Sequence, residues 1–131
     1  MPQALEPPRP TDAELAILRV LWRRGEATVR EVHDELRRGR KTGYTTVLKL
    51  MQIMTDKGLV TRDESQRSHV YRPAVGEVET QSRLVSDLVD KAFGGSASRL
   101  VMRALSPETS QEELAEIRGF LDEVARKRRR R

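Results

Sequence analysis

Thr11 and Glu14 stand three residues apart just ahead of Leu15, Leu18, Leu21 and Trp22, and Thr28 and Glu31 repeat that spacing ahead of Val32 and Leu36. A threonine that accepts a hydrogen bond from the backbone three residues on, while a glutamate there reaches back, is a capping box, and it fixes where a helix begins. Gly25 and Gly39 close the two apolar stripes, so the spacing predicts short helices running to about Arg24 and up to Gly39. A third helix is expected from near Gly43 to Gly58, which sits where a left-handed C-cap glycine belongs. At about 100° per residue, Val47, Leu50, Met51 and Met54 share one side of it, and Thr45, Lys49, Gln52 and Asp56 share the other.

Leu59 to Glu64 and Ser68 to Pro73 alternate apolar and polar residues around the polar turn Ser65, Gln66 and Arg67, the pattern of a hairpin. Arg67 marks its tip, with Arg62 and Arg72 along the strands. Three helices followed by a hairpin is the order of a winged helix-turn-helix. The expected fold is therefore mainly α with a small β-hairpin wing, followed by a helical domain. In that second part, Glu77 to Phe93 carries Leu84, Val85, Leu88, Val89 and Ala92, and Gly94-Gly95 breaks it. Ser98 to Leu105 reads as a short helix, and Ser110 with Glu113 as a further capping box. The last helix then shows Leu114, Ile117, Phe120, Leu121 and Val124 on one stripe. The organisation expected is an arm at 1–10, disordered by its prolines, a winged-helix domain at 11–75, a helical domain at 76–125 and a basic tail at 126–131.

Neither half of a 131-residue chain offers the apolar area of a typical core of about 100 residues. The C-terminal stripe therefore folds back on the winged domain or pairs with a second copy. Pairing is the expectation, through Leu84, Leu88, Leu100, Val101, Leu114, Ile117, Phe120, Leu121 and Val124.

Charge points to the partner of the first part. Between Leu36 and Thr55 stand Arg37, Arg38, Arg40, Lys41 and Lys49 with no acid among them. Residues 1–75 hold 14 bases and 10 acids (+4), residues 76–125 hold 5 and 10 (−5), and residues 126–131 are all basic (+6), which together give the net +5. A basic module is the electrostatic footprint of a nucleic-acid binder. One Trp, two Tyr and two Phe leave little for stacking bases, so duplex DNA is favoured over single strands or RNA. A rival reading is a winged-helix module whose basic turn meets an acidic protein. The tail reads as a solvated helix end, or as a supplementary contact to DNA or an acidic partner.

Enzymatic function has no support. The chain has no cysteine, no glycine-rich phosphate loop and no His-carboxylate cluster with ligand spacing, and Asp63 and Glu64 alternate faces on a strand. His33, on a helix beside acids, and His69, on a strand, read as structural or surface residues, so neither metal nor cofactor is expected. The N-terminal stretch lacks the basic-then-apolar order of a signal peptide and no apolar run approaches a membrane span, which predicts a cytoplasmic protein.

The run Tyr44-Thr45-Thr46-Val47, then Leu50-Met51 and Lys57-Gly58-Leu59-Val60, followed by His69-Val70-Tyr71-Arg72-Pro73, resembles the penicillinase repressor family of bacterial transcription regulators. Thr11-Asp12-Ala13-Glu14-Leu15, Val20-Leu21-Trp22 and Gly95-Ser96 before Leu100-Val101 extend the likeness from Thr11 to about Val124. The resemblance implies a homodimeric repressor on a dyad-symmetric operator, and known members control beta-lactamase, methicillin-resistance or copper-transport genes. Three departures stand out. Members commonly carry an arginine where this chain has Ile53, so one polar DNA contact is missing and the reading passes to Lys49 or Gln52. Members released by proteolysis have an Asn-Phe bond in the short penultimate helix; Arg103-Ala104 occupies that place, which argues against a membrane sensor protease cutting there and leaves open one of another preference. Copper-responsive members end in a cysteine cluster, which is absent here, so thiolate copper sensing is excluded.

The expected mechanism places two recognition helices in successive major grooves about one turn apart. Thr45, Lys49 and Gln52 then face base edges, Lys41, Thr42, Tyr44 and Thr46 fix the helix on phosphates, and Arg62 and Arg67 grip the flanks.

Overall fold

The computed structural model describes residues 8–39 and 41–130; the expected arm up to residue 7, together with Arg40 and Arg131, lies outside them. Among the described residues six helices and one hairpin follow in the order α1 (Asp12–Arg24), α2 (Val29–Leu36), α3 (Tyr44–Lys57), β1 (Val60–Asp63), β2 (Val70–Pro73), α4 (Glu77–Ala92), α5 (Ala97–Ala104) and α6 (Gln111–Arg129).

Local chemistry sets the helix ends. Both predicted capping boxes form in full: Glu14 N–H donates to Thr11 Oγ1 (3.2 Å) and Thr11 N–H to Glu14 Oε1 (2.9 Å), and Thr28 and Glu31 do the same at 3.2 and 2.9 Å. Gly25, at φ 87°, turns the chain out of α1. α2 is shorter than expected, because Arg38 and Gly39 N–H groups bond to Glu35 and Leu36 carbonyls only three residues back, which tightens the helix into a turn. α3 ends in a Schellman motif: Gly58, at φ 83°, donates to the Thr55 carbonyl and Leu59 to that of Met54. Leu59 and Met54 are both buried, supplying the apolar contact that accompanies the motif.

Apolar faces of the first three helices meet around Ile17, Leu18, Leu21, Val32, Val47, Met51 and Met54, all fully buried, and the hairpin closes the core with Val60 and Tyr71. β1 and β2 pair antiparallel, Val60 opposite Pro73 and Asp63 opposite Val70. The strands are shorter than predicted, since Leu59 is taken by the helix cap and Ser68 and His69 belong to the wing loop. His69 thus stands just outside the strand on which it was expected. β2 has a second neighbour: Ala27, between α1 and α2, exchanges both backbone bonds with Tyr71 at 3.0 and 2.8 Å.

Polar links also cross this head. Trp22 Nε1 donates to the Val75 carbonyl at 2.9 Å. Lys57 Nζ, at the end of α3, reaches both carboxylate oxygens of Glu14 at 2.8 and 3.0 Å, and Glu14 is 2% exposed. Burial pushes the Glu14 carboxyl up, but Lys57 and the Thr11 N–H outweigh it, and the group is held below its ordinary range.

The compact units divide inside α4, between Val85 and Ser86. Within the second unit, Gly94 and Gly95, at φ 57° and 85°, separate α4 from α5, and Ser96 caps α5 through the Arg99 N–H. Ser110 accepts from the Glu113 N–H at 3.0 Å, which is one half of the reciprocal box expected there. No residue of α5 or α6 is buried. α6 runs on through Arg129, carrying the expected tail from Arg126 to Arg129 as helix; no breaker stands between Val124 and Arg129, and cations suit a helix C-terminus. Among the described residues no helix is long and apolar enough to cross a membrane.

Candidate nucleic-acid interface

The three helices of the head begin differently. α1 and α2 carry glutamates in their first turns and satisfy their leading N–H groups with capping boxes. α3 has neither: Gly43 offers no side chain, there is no acid in the first turn, and Lys41 lies just before it. A helix start with free N–H groups and only positive charge nearby favours an anion.

The two faces of α3 divide as the periodicity predicts. Val47, Met51 and Met54 are buried, while Thr45, Thr46, Lys49 and Gln52 are exposed, as are Lys41 and Tyr44; Thr42 is half-buried. Tyr44 is held in place rather than loose. Its ring meets His33 edge-on at 5.8 Å between centroids, and the Arg30 guanidinium lies 5.7 Å from the ring centre.

A groove of about 330 Å³ opens between the start of α2, the start of α3 and the return of the wing, lined by Thr28, Arg30, Tyr44, Arg67 and His69 among others. It brings two arginines from distant parts of the sequence to one cleft beside the uncapped helix end. Arg30 was missed by sequence reasoning. It lies outside the acid-free run, and as an outward residue on an amphipathic helix it looks like any solvated cation.

The three wing arginines are not equivalent. Arg67 lines the groove. Arg62 is half-buried and tied back, its guanidinium 2.8 and 2.6 Å from Glu64; hydrogen bonding to Tyr71 and then Glu64 pushes its pKa further up. Arg72 pairs with Glu26 at 2.7 Å. Asp63 accepts the Ser65 N–H at 2.9 Å, which bends the wing loop and keeps that carboxyl below its usual range.

In the second unit Leu88, Val101, Phe120, Leu121 and Val124 are exposed, Phe120 at 67%, and Leu100, Leu114 and Ile117 are half-buried; Leu84, in the part of α4 that belongs to the first unit, is half-buried too. Met102, which the sequence reading left out, joins them at 65%. Leu88, Val101, Met102, Phe120, Leu121 and Val124 are thus large apolar side chains that the second unit leaves open.

The penicillinase repressor family model matches residues 10–123 of the chain. The chain belongs to that family. The transcriptional regulator BlaI of Mycobacterium tuberculosis is 31% identical over 114 residues, covering 86% of this chain and 83% of that protein. The penicillinase repressor of Bacillus licheniformis is 24% identical over 117 residues, covering 88% and 91%. Among solved structures, the monomeric form of B. licheniformis BlaI in complex with the blaP half-operator aligns at 26% identity and a TM-score of 0.50, covering 56% of this chain and 90% of that one. Membership makes this chain a DNA-binding transcriptional repressor with a winged-helix head, and not an enzyme.

Proposed function

We propose that the protein represses transcription as a homodimer on a dyad-symmetric operator, each head placing α3 in a major groove. The observation that carries this is the outward face of α3, with Thr45, Thr46, Lys49 and Gln52 exposed behind an uncapped, acid-free start. Thr45, Lys49 and Gln52 face base edges, while Lys41, Thr42, Tyr44 and Thr46 set the helix on phosphates. Arg30 and Arg67, in the groove beside it, suit the backbone of the same half-site. Arg62 acts chiefly by holding the wing, since Glu64 already offsets its charge.

The open apolar surface of the second unit suits a second copy. Burying about five large side chains per chain at ~1.5–3 kcal/mol each is large enough to drive pairing after the costs of association. Tethering two heads makes the second half-site contact intramolecular, so repression is lost when the pair separates. Arg103 and Ala104 are exposed in the last turn of α5, and the change from Asn-Phe makes loss of the dimer, rather than cutting at that bond by a membrane sensor protease, the proposed route of release. Repression of a promoter places the protein in the cytoplasm.

The test is binding of the full chain to DNA from upstream of its own gene, against scrambled duplex, at two salt concentrations. The expected result is a clear preference for the former and a loss of ~10³–10⁵ in affinity between about 50 and 200 mM salt, for about 6 to 10 phosphates neutralised. Equal binding to both duplexes with a shallow salt response would instead support a protein partner.

A further inference from the structure

Ile53 is 38% exposed on α3, one turn after Lys49, two turns after Thr46 and next to Gln52. The core stripe Val47, Met51 and Met54 points the other way. A single exposed isoleucine is ordinary on a protein surface. What makes this one informative is its company: Thr46 and Lys49 on its outward side, with Gln52 beside them, can each donate or accept a hydrogen bond, and Ile53, with half-buried Leu50 on its core side, can do neither. Among the described residues of α3 it is the one aliphatic side chain with this degree of exposure.

Its chemistry narrows what it can meet. A β-branched side chain on a helix is stiff at χ1, so its methyl groups are presented in a nearly fixed direction. In the major groove the base edges offer donors, acceptors and one apolar group, the C5-methyl of thymine. Placed over a cytosine amine or a guanine acceptor, Ile53 would strip water from a polar atom without replacing its hydrogen bond, which is unfavourable. Over a thymine methyl it buries apolar surface on both sides.

We propose that Ile53 is a specificity-determining residue whose methyl surface packs on the C5-methyl of a thymine in each operator half-site. The inference rests on the reading of α3 as the DNA-facing helix. Lys49 and Ile53, a turn apart, then form a two-part reader in which a cation takes a base acceptor or phosphate and the isoleucine takes a methyl.

The experiment starts from duplexes selected by the full chain from a random pool, and replaces each thymine in turn by deoxyuridine. That change removes only the methyl and leaves every hydrogen-bonding group in place. For the native chain one thymine per half-site is expected to be sensitive, with affinity falling about three- to fivefold per substituted half-site, the worth of one buried methyl. Ile53→Ala is expected to bind the thymine and deoxyuridine duplexes alike at that position, with an unchanged thermal melt, while Ile53→Val keeps part of the discrimination. The proposal is overturned if no deoxyuridine substitution weakens the native chain, if Ile53→Ala retains the same penalty, or if Ile53→Ala loses affinity equally for selected and scrambled duplexes. Failure of the pool to yield any enriched duplex would overturn the DNA reading itself, an outcome separate from the others.

Discussion

The head and the C-terminal helices are built from similar amphipathic segments, yet only the head closes. Ile17, Leu18, Leu21, Val32, Val47, Met51 and Met54 are fully buried there, whereas no residue of α5 or α6 is buried, and Phe120 and Leu121 are 67% and 55% exposed. The difference is one of complement. The stripes of α1, α2 and α3 face one another, and the hairpin, stitched to Ala27 through Tyr71, covers the remaining side. Within the second unit, α5 and α6 bury no side chain in this way. A closed unit can place a reading surface rigidly, and an open one is suited to joining two copies.

The sharpest break in this contrast comes from equal truncations in the two regions. Leu21→Ala, within the closed core, should cost about 2–5 kcal/mol in urea unfolding of the full chain. Phe120→Ala should leave unfolding of the head within about 0.5 kcal/mol of native, and comparable losses in both would erase the distinction. Next in size, Leu121→Asp removes about 1.5 kcal/mol of burial or more from each of two copies, so the dimer dissociation constant should rise at least ~100-fold. Sedimentation would then show a monomer; an unchanged sedimentation coefficient would remove pairing through α6.

A smaller effect sharpens how the head holds α3 in place. Glu14→Gln should cost about 1–3 kcal/mol, since Lys57 loses its buried partner but keeps access to water. The carboxyl of Glu14 is depressed below its ordinary 4.5 in the folded chain, so its contribution is complete above that value and fades as pH falls through the lower, folded pKa. Acid titration of unfolding stability should therefore fall less steeply in the variant than in the native protein. The smallest effect expected is at the wing: Arg67→Ala should weaken binding alike across duplex sequences and lower the salt slope by about one.

Much of the head was legible because its signals are local. Thr11 with Glu14, Thr28 with Glu31, and the positive-φ glycines Gly25 and Gly58 fix helix ends through atoms within a few residues of each other. What escaped depends on residues far apart. The Ala27–Tyr71 bridge, the Glu14–Lys57 pair and the Trp22–Val75 bond have no periodicity to announce them. Arg62 and Arg67 look alike in the sequence, and only the folded hairpin shows one bound back to Glu64 and the other in the groove with Arg30. The sequence marks Ile53 only as a missing polar contact; its exposure beside Lys49 is the observation behind the proposed thymine contact.

In the proposed arrangement a closed, self-sufficient head reads one half-site while the open helices join two heads across the dyad. The most direct measurement compares residues 1–85 with the full chain on two duplexes, one carrying a single half-site and one carrying both in dyad arrangement. The fragment should fold, bind both duplexes with one weak affinity per half-site and sediment as a monomer, whereas the full chain should bind the dyad at least ~100-fold more tightly than the single half-site, as tethering requires. A fragment that matches the full chain on the dyad, or a full chain indifferent to the second half-site, would contradict it.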